Sequence, residues 1–251
     1  METIRPADDI AIYRFPPYEG KHYGFNITVL IDWASGEALL IDTGYEEHGA
    51  AVAKDLKARG ISPTHVVLSH FHPDHIVGLT ALPGVTVVGS ARYLETLREF
   101  GDRSEWEAFL PTRTVEDGDR LAFGRFELSF VAAPGHSPCS LYTLIDDDYI
   151  EVADNVMTSN DGRDILPWAE FDRIEDHVRS LEALRAYTDR TWLLSHGITI
   201  DDPAVAERAI DDRIAYFRAI LDGDGAISFE EATRDCSCEF LHREWLIRKD
   251  A

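Results

Sequence analysis

The sequence predicts an α/β (α+β) protein in which β-sheets form the interior and helices cover the outside. Short apolar runs rich in β-branched residues alternate with segments of helical period along the 251 residues. No internal repeat, low-complexity tract or linker interrupts this order, which predicts a single domain over residues 1–251. Hydrophobic residues make up 45% of the chain, enough for a sizeable core.

The N-terminal half begins with strands and then alternates strands with helices. The opening strands are predicted from the β-rich runs IAIYRFP, YGFNITVLID and EALLIDTG. The segment HGAAVAKDLKARG has helical spacing and ends at Gly60, and ARYLETLREFG is predicted as a helix closed by Gly101. Between these two helices, THVVLSH and GVTVVGS are short apolar strands.

The C-terminal half is predicted to contain two hairpins followed by helices. After a turn-rich connector, one hairpin turns at Gly124 and the second turns at residues 146–148. An amphipathic helix covers residues 170–187, the run TWLLSHG is a strand, and Asp202 with Pro203 starts a helix over 203–222. A final helical stretch is expected over about 228–248, so that residues 203–251 form a helical C-terminal extension of the domain.

The charge of the chain argues against polyanionic partners. Lysine and arginine total 24 against 46 aspartates and glutamates, for a formal net charge of −22. Such a surface repels nucleic acid and anionic membranes, so a small-molecule substrate is the expected partner, and a homodimer is left open. The N-terminus carries acids where a signal peptide has a basic start, and no long apolar run is present, which predicts a cytoplasmic protein.

The three cysteines point to a reducing compartment rather than to a disulfide framework. Cys236 and Cys238 form a CxC pair with no second pair, so a structural zinc site is not expected there. Their simplest placement is on the predicted C-terminal helix.

The segment HFHPDH, residues 70–75, contains three histidines and an aspartate within six positions. It follows the strand THVVLSH, and Pro73 places Asp74 and His75 at the start of a helical turn. Imidazole and carboxylate groups bind borderline divalent metals, so this loop is predicted to hold metal ions. The competing interpretation is a solvated polar loop, which this ligand spacing disfavours.

More distant polar residues also fall at the ends of predicted strands. His136 follows one strand and His196 another, and both are candidates to complete the ligand sets of two ions. Asp154 closes the run DYIEV and is a candidate to bridge the ions. Taken alone, each of these three would be an ordinary loop or turn residue. Five further histidines lack such neighbours and are predicted to be surface or core residues: His22, His48, His65, His177 and His242.

Taken together, these motifs resemble those of the metallo-β-lactamase-fold hydrolases. The resemblance rests on HxHxDH at 70–75, PGH at 134–136, Asp154, SHG at 195–197, and IDTG at 41–44. It implies an αββα sandwich of two mixed β-sheets flanked by helices, with a two-metal centre at its edge. The implied roles are His70, His72 and His136 on one ion, Asp74, His75 and His196 on the other, Asp154 as the bridge, and Asp42 as the residue that orients the ligands.

A two-metal centre predicts hydrolysis. Two ions roughly 3.5 to 4 Å apart can share a hydroxide that is nucleophilic near neutral pH, and Asp74 is the candidate catalytic residue that holds the nucleophile or relays a proton. Zinc is the expected metal, with iron and manganese as alternatives. His75 and Asp154 make the chain unlike the true β-lactamases, and His72 makes it unlike the diiron flavoproteins, which leaves esters, thioesters and lactones as substrates.

Two features limit closer assignment within the family. Met157 stands where N-acyl-homoserine lactonases often carry a tyrosine, and the glutathione-binding basic residues of glyoxalase II have no clear counterpart among the scattered C-terminal arginines. Pocket walls are predicted from Tyr18, Tyr23, Met157 and Trp168, each of which could instead pack as an ordinary loop residue. The alternative functions are a phosphodiesterase or nuclease, a mononuclear iron oxygenase, and a binding protein with weak catalysis.

Overall fold

Two β-sheets pack face to face with helices on both outer sides in the computed structural model, which describes residues 1–249. The layer order is therefore helix, sheet, sheet, helix, as predicted. No helix within residues 1–249 is long and apolar enough to span a membrane.

The first sheet has seven strands whose spatial order follows the chain. Its strands are β1 (Glu2–Ala7), β2 (Ile10–Arg14), β3 (Asn26–Asp32), β4 (Glu37–Ile41), β5 (Ser62–Val67), β6 (Thr86–Ser90) and β7 (Arg113–Val115). The pairs from β1 to β4 are antiparallel and those from β4 to β7 are parallel, so the sheet is mixed.

The second sheet has five strands in the order β12-β11-β10-β9-β8. They are β8 (Arg120–Phe123), β9 (Phe126–Ala132), β10 (Leu141–Ile145), β11 (Tyr149–Glu151) and β12 (Thr191–Leu193). Only the β11–β12 pair is parallel. The two predicted hairpins are confirmed as β8–β9 and β10–β11.

Seven α-helices and several short 3₁₀ turns complete the described part of the chain. The α-helices are α1 (Glu46–Ala58), α2 (Pro73–Ile76), α3 (Tyr93–Leu97), α4 (Arg103–Trp106), α5 (Ile174–Leu184), α6 (Pro203–Asp222) and α7 (Phe229–Ala232). The longest, α6, packs with α5 against the second sheet, and α1 packs against the first.

The alternating side chains of the strands build the apolar layers. In β4, Leu39 and Ile41 pack between the two sheets, whereas Ala38 and Leu40 pack on the α1 side. Buried apolar residues therefore form three clusters, one between the sheets and one under each helical layer. This arrangement leaves the strand ends free to carry polar side chains.

Three local predictions were wrong. The edge strand β1 was missed because its half-exposed sequence has no clear apolar alternation, and β7 was missed within the turn-rich connector. The helix predicted over 228–248 is limited to the four-residue α7, which starts at the capping box of Ser228. The chain then follows an irregular path in which Ser237 binds Asp212 and His242 is left-handed, with φ of 61°. Cys236 and Cys238 accordingly lie on a loop.

Candidate metal centre

The predicted ligands meet because the strands that carry them end at the same edge of the sandwich. Parallel pairing of β4 with β5, and of β11 with β12, brings the carboxyl ends of each pair together. The two sheets are tied at this edge by Asn26, whose backbone N–H donates to the carbonyl of Ser195 at 2.8 Å and whose side-chain amide donates to that of Leu194 at 2.7 Å.

Three histidines form the first cluster of candidate ligands. One ring nitrogen each from His70, His72 and His136 lies within 4.8 Å of the other two. Nε2 of His136 is 3.1 Å from Nδ1 of His72, and the ring of His70 stands edge-on to both. The loop after β5 supplies two of these rings, and the loop after β9 supplies the third.

The second cluster contains Asp74, His75, Asp154 and His196, with ligand atoms again within 4.8 Å of one another. Oδ2 of Asp154 is 3.4 Å from Nε2 of His75 and 3.3 Å from Nε2 of His196. The same oxygen is 3.4 Å from Nε2 of His136, which belongs to the first cluster. Asp154 therefore lies between the two clusters, where the sequence predicted a bridging carboxylate.

In three of the ligand histidines the Nδ1 atom is held by a hydrogen bond, and the Nε2 atom faces the centre. Nδ1 of His75 donates to the carboxylate of Asp42 at 2.8 Å. Nδ1 of His196 donates to the backbone carbonyl of Gly24 at 2.8 Å. Nδ1 of His136 donates to the backbone carbonyl of Trp168 at 3.1 Å. Because these acceptors carry no proton, each ring in its neutral form, the form that binds a metal, presents its Nε2 lone pair to the centre.

Several of the inward-facing atoms are buried and lack a hydrogen-bond partner within the described residues. They are Nε2 of His70, His75 and His196, and Oδ1 of Asp154. Leaving such groups unsatisfied costs about 1–3 kcal/mol each, unless a ligand binds them. Neutral imidazole and carboxylate are ligands of divalent metals, and the two clusters therefore fit a metal site.

A buried hydrogen-bond network holds Asp42 beneath the second cluster. Besides the bond from His75, its carboxylate accepts from the backbone N–H of Ser69 at 2.8 Å and from the hydroxyls of Ser69 and Ser195 at 2.7 and 3.1 Å. The Ser195 hydroxyl also lies 2.7 Å from Glu151. Sequence reasoning selected Asp42 but missed Ser69, Ser195 and Glu151. The available signal was the Ser-His pair repeated at 69–70 and 195–196.

Two glycines beside the ligands are required by the close approach of neighbouring segments. Gly135 precedes His136 with φ of 143°, and a Cβ there would lie 2.3 Å from Cα of His177. Gly197 follows His196 with φ of 100°, and its Cβ would lie 2.3 Å from the carbonyl oxygen of Thr158. A side chain at either position would shift the adjacent histidine.

The pKa values of the histidines differ between the two clusters. Burial and the neighbouring imidazoles lower the pKa of His70 and His72 well below the usual value, so both rings are neutral at neutral pH. Burial also acts to lower the pKa of His75 and His196, but nearby carboxylates, first among them Asp154, outweigh it and raise both. Against burial, these two imidazoles hold the pKa of Asp154 well below its usual range. The second cluster therefore differs from the first in pairing its two imidazoles with carboxylates.

A cavity of about 460 Å³ opens directly onto both clusters. Its lining residues are Tyr23, His72, Pro73, Asp74, Glu99, Phe100, His136, Asp154, Met157, Trp168 and Trp245. Three of the four predicted pocket residues, Tyr23, Met157 and Trp168, thus lie where the sequence placed them.

Tyr18 does not line this cavity, which corrects its prediction as a pocket residue. Its ring is 44% exposed, its hydroxyl bonds to Glu47 at the start of α1, and it packs beside His48. Phe100 and Trp245 line the cavity but were missed. Trp245 lies in the segment wrongly predicted as helix, and no local signal placed it near the centre.

The fold and the ligand clusters define an αββα sandwich with a candidate metal site, and comparison with known proteins identifies the family. The model of the metallo-beta-lactamase superfamily matches residues 25–196, a span that contains every candidate ligand. The chain belongs to this superfamily. Among solved structures, a metallo-beta-lactamase family protein of Thermus thermophilus superposes with a TM-score of 0.68 at 20% identity, covering 88% of this chain and 83% of the other.

Curated relatives carry two different activities in their names. The mitochondrial persulfide dioxygenase ETHE1 of Bos taurus is 34% identical over 142 residues, covering 54% of this chain and 49% of the relative. A hydroxyacylglutathione hydrolase of Brucella anthropi is 30% identical over 183 residues, covering 68% of this chain and 65% of the relative. The chain thus spans between half and two-thirds of the length of these relatives.

Proposed function

We propose that the protein is a metal-dependent hydrolase of a thioester, ester or lactone bond in a small molecule. The observation that carries the proposal is the pair of ligand clusters joined by Asp154, several of whose ligand atoms are buried and unpartnered beside a cavity. A site that pairs two ligand sets around one carboxylate is suited to two-metal hydrolysis.

In this proposal the residues divide between two ions. One ion would be held by His70, His72 and His136, the other by Asp74, His75 and His196, and Asp154 would contribute to both. Zinc is the first candidate because the ligands are imidazoles and carboxylates, and iron or manganese would accept the same set. Ions bound there would polarise the attacked carbonyl and lower the pKa of water.

Asp74 is the candidate for proton transfer. Its side chain is 24% exposed at the cavity, whereas that of Asp154 is 5% exposed. A carboxylate in that position can accept the proton from the attacking water and return it to the leaving sulfur or oxygen once the bond to the carbonyl carbon breaks. Asp42 acts through His75, whose ring it orients.

The hydrolase relatives support the thioester class. The substrate in their name, hydroxyacylglutathione, is a thioester, and a second such enzyme from Rhodospirillum rubrum is 29% identical over 159 residues. Because the chain covers only part of these proteins, their activity enters as a proposal for this chain. It is likewise a proposal that the substrate is a small molecule and not a nucleic acid.

An oxygenase is the second candidate, because the relatives named persulfide dioxygenase match the chain at up to 34% identity. It would need a single iron ion on part of the same ligand set. The phosphodiesterase and the weakly catalytic binding protein stay predictions without a relative to favour them among those described above.

The metal content of the purified protein is the first test. We expect about two zinc, iron or manganese ions per chain by plasma mass spectrometry, and hydrolysis of thioesters, esters or lactones that a chelator abolishes and the metal restores. His72→Ala and Asp154→Ala should lose metal and activity together, while Asp161→Asn at the surface should lose neither. One iron per chain with oxygen consumption on a persulfide would favour the dioxygenase. Cleavage of bis(p-nitrophenyl) phosphate but of no carboxylic ester would favour the phosphodiesterase.

A further inference from the structure

Aromatic rings surround the candidate metal centre on the cavity side. Phe100 stands edge-on to His72 at 5.4 Å, and Trp168 stands edge-on to His136 at 5.9 Å. Tyr23 makes the same contact with His196 at 5.0 Å. Each of the three rings thus borders a different ligand histidine. The group of a substrate next to the reacting bond would lie against these apolar surfaces.

The fourth ring, that of Trp245, is held in place by the C-terminal segment outside the family match. It stacks on His242 with ring centres 4.6 Å apart and planes at 19°, and it meets Tyr23 at 5.7 Å. Nδ1 of His242 is fixed at 2.7 Å from Glu244. Trp245 is therefore a built part of the cavity wall and not a freely rotating surface residue.

No lysine or arginine within residues 1–249 lines the cavity. Arg173, which contacts the lining residue Glu99 at 2.8 Å, also lies 3.3 Å from Glu170 and is therefore already paired. Lys21 lies over the Trp245 ring at 5.8 Å but does not line the cavity. A substrate carboxylate placed against these aromatic rings would therefore lose its hydration and find no cationic side chain among the lining residues.

Four arginines of the C-terminal region are likewise engaged. Arg213 is fully buried and bonds Asp164 at 2.9 Å and the carbonyl of Met157 at 2.7 Å. The others are engaged as follows: Arg218 with Glu182 at 3.3 Å, Arg243 with Glu230, and Arg248 with the carbonyl of Ile227 at 2.7 Å. None of these four guanidinium groups lines the cavity, where it could receive an anionic thiol such as glutathione.

We infer that the substrate carries an uncharged aromatic or bulky apolar group beside the reacting bond, and that Trp245 is a specificity-determining residue for that group. This inference rests on the proposed hydrolase function for its catalytic test. Burying a benzyl-sized group against such a wall is worth about tenfold or more in affinity.

The first experiment compares thioesters of one acyl group with the metal-loaded enzyme. S-benzyl thioacetate and S-acetylglutathione both release an alkyl thiol, and S-methyl thioacetate is the small reference. We expect kcat/KM to favour the benzyl ester over the glutathione ester by about tenfold or more. Equal or greater turnover of the glutathione ester would overturn the inference and leave the hydrolase proposal standing. Turnover of no thioester, ester or lactone would instead count against the hydrolase proposal.

Variants then assign the effect to Trp245. Trp245→Ala should lower kcat/KM for the benzyl ester by about tenfold while the methyl ester is little changed, and Trp245→Phe should retain most of the preference. Trp33→Ala is the matched control, since Trp33 is 55% exposed and packs on Arg59 away from the cavity. An equal loss on all three esters would show a structural role and refute the assignment.

Binding without turnover gives an independent readout. Benzylacetone replaces the sulfur of the benzyl thioester with a methylene, and S-methylglutathione is an anionic thioether, so neither is hydrolysed. By saturation-transfer NMR we expect contact with benzylacetone that weakens in Trp245→Ala, and no contact with S-methylglutathione. The reverse pattern would overturn the inference whether or not the enzyme hydrolyses thioesters.

Discussion

Asp42 is a buried carboxylate that receives four hydrogen bonds from Ser69, Ser195 and His75. Its backbone is left-handed, with φ of 60°, a conformation that aspartate and asparagine tolerate better than most residues. Every neighbour in this network donates to the carboxylate. The charge and the two acceptor oxygens are therefore the properties that the position requires.

Asp42→Asn tests this requirement without disturbing the backbone. The NH₂ group of the introduced asparagine would face N–H and O–H groups that also donate, so the ring of His75 should lose its fixed orientation. We expect metal affinity to fall by about 10- to 100-fold, measured by competition with a chelator. Asp161→Asn, a surface change, should leave affinity unaltered. An unchanged affinity in Asp42→Asn would show that Asp42 does not orient the ligand.

Glu151 makes the stability of the protein depend on pH. It is fully buried, and burial together with the charge of Asp42 raises its pKa well above the usual 4.5. As the pH rises above 4.5, Glu151 loses its proton in the unfolded chain but keeps it in the folded protein. The free energy of unfolding therefore falls until the pH reaches the folded-state pKa of Glu151. Glu151→Gln keeps a side-chain oxygen beside the hydroxyl of Ser195 and the N–H of Ala153, and it has no proton to lose.

We therefore expect Glu151→Gln to gain stability relative to the wild type as the pH rises from about 4.5 to neutral, by at most about 1.4 kcal/mol per pH unit. Urea unfolding of both proteins across this range measures the difference, in which the other titrating groups largely cancel. A difference that does not change with pH would show that Glu151 ionises normally in the folded protein.

At the scale of elements, the segment after α7 is held to α6 by polar contacts. Asp212 of α6 accepts from the backbone N–H of Ser237 at 2.6 Å and from its hydroxyl at 2.9 Å, and Cys236 donates to the carbonyl of Asp212 at 3.3 Å. Further along, Phe240 and Ile247 pack into the cluster under the second sheet. These contacts position the turn that carries Trp245.

Asp212→Ala should release this segment. The N–H of Ser237 would lose its partner, and we expect a loss of about 1–3 kcal/mol in the free energy of unfolding. Cys236→Ser is the matched variant, because serine can donate to the same carbonyl, and it should cost less than about 1 kcal/mol. Urea unfolding measures both changes. Equal costs would mean that the Asp212 carboxylate does not anchor the segment.

At the scale of the whole molecule, the apolar sandwich opposes a large excess of like charge. The three clusters of buried residues stabilise the fold, while a formal net charge of −22 acts against compaction through self-repulsion. Exposed ion pairs such as Arg120 with Glu127 offset only a small part of this repulsion, since each is worth about 1 kcal/mol or less.

Stability should accordingly rise with ionic strength. The screening length falls from about 10 Å at roughly 0.1 M salt to about 3 Å at 1 M, so repulsion between separated carboxylates should weaken. We expect the melting temperature to increase over this range of potassium chloride, and to increase less in sucrose of equal osmolality. A melting temperature indifferent to salt would show that the acidic surface is not a source of instability.

The sequence by itself determined most of the strand and helix pattern and singled out the candidate ligands. Both follow from local features, namely the period of apolar residues and the close spacing of HFHPDH and the strand-end markers. The family match over residues 25–196 confirms the fold that these features implied.

Only the tertiary structure decided which residues surround the centre. Trp245 lines the cavity and Tyr18 does not, and the carboxylate of Asp42 meets the hydroxyl of Ser195 from 153 positions away. Contacts between segments so distant in the chain leave no periodic signal, because they depend on how whole layers pack. The irregular path to Trp245 was hidden for the same reason, since long-range polar contacts such as that from Ser237 to Asp212 override local helix propensity.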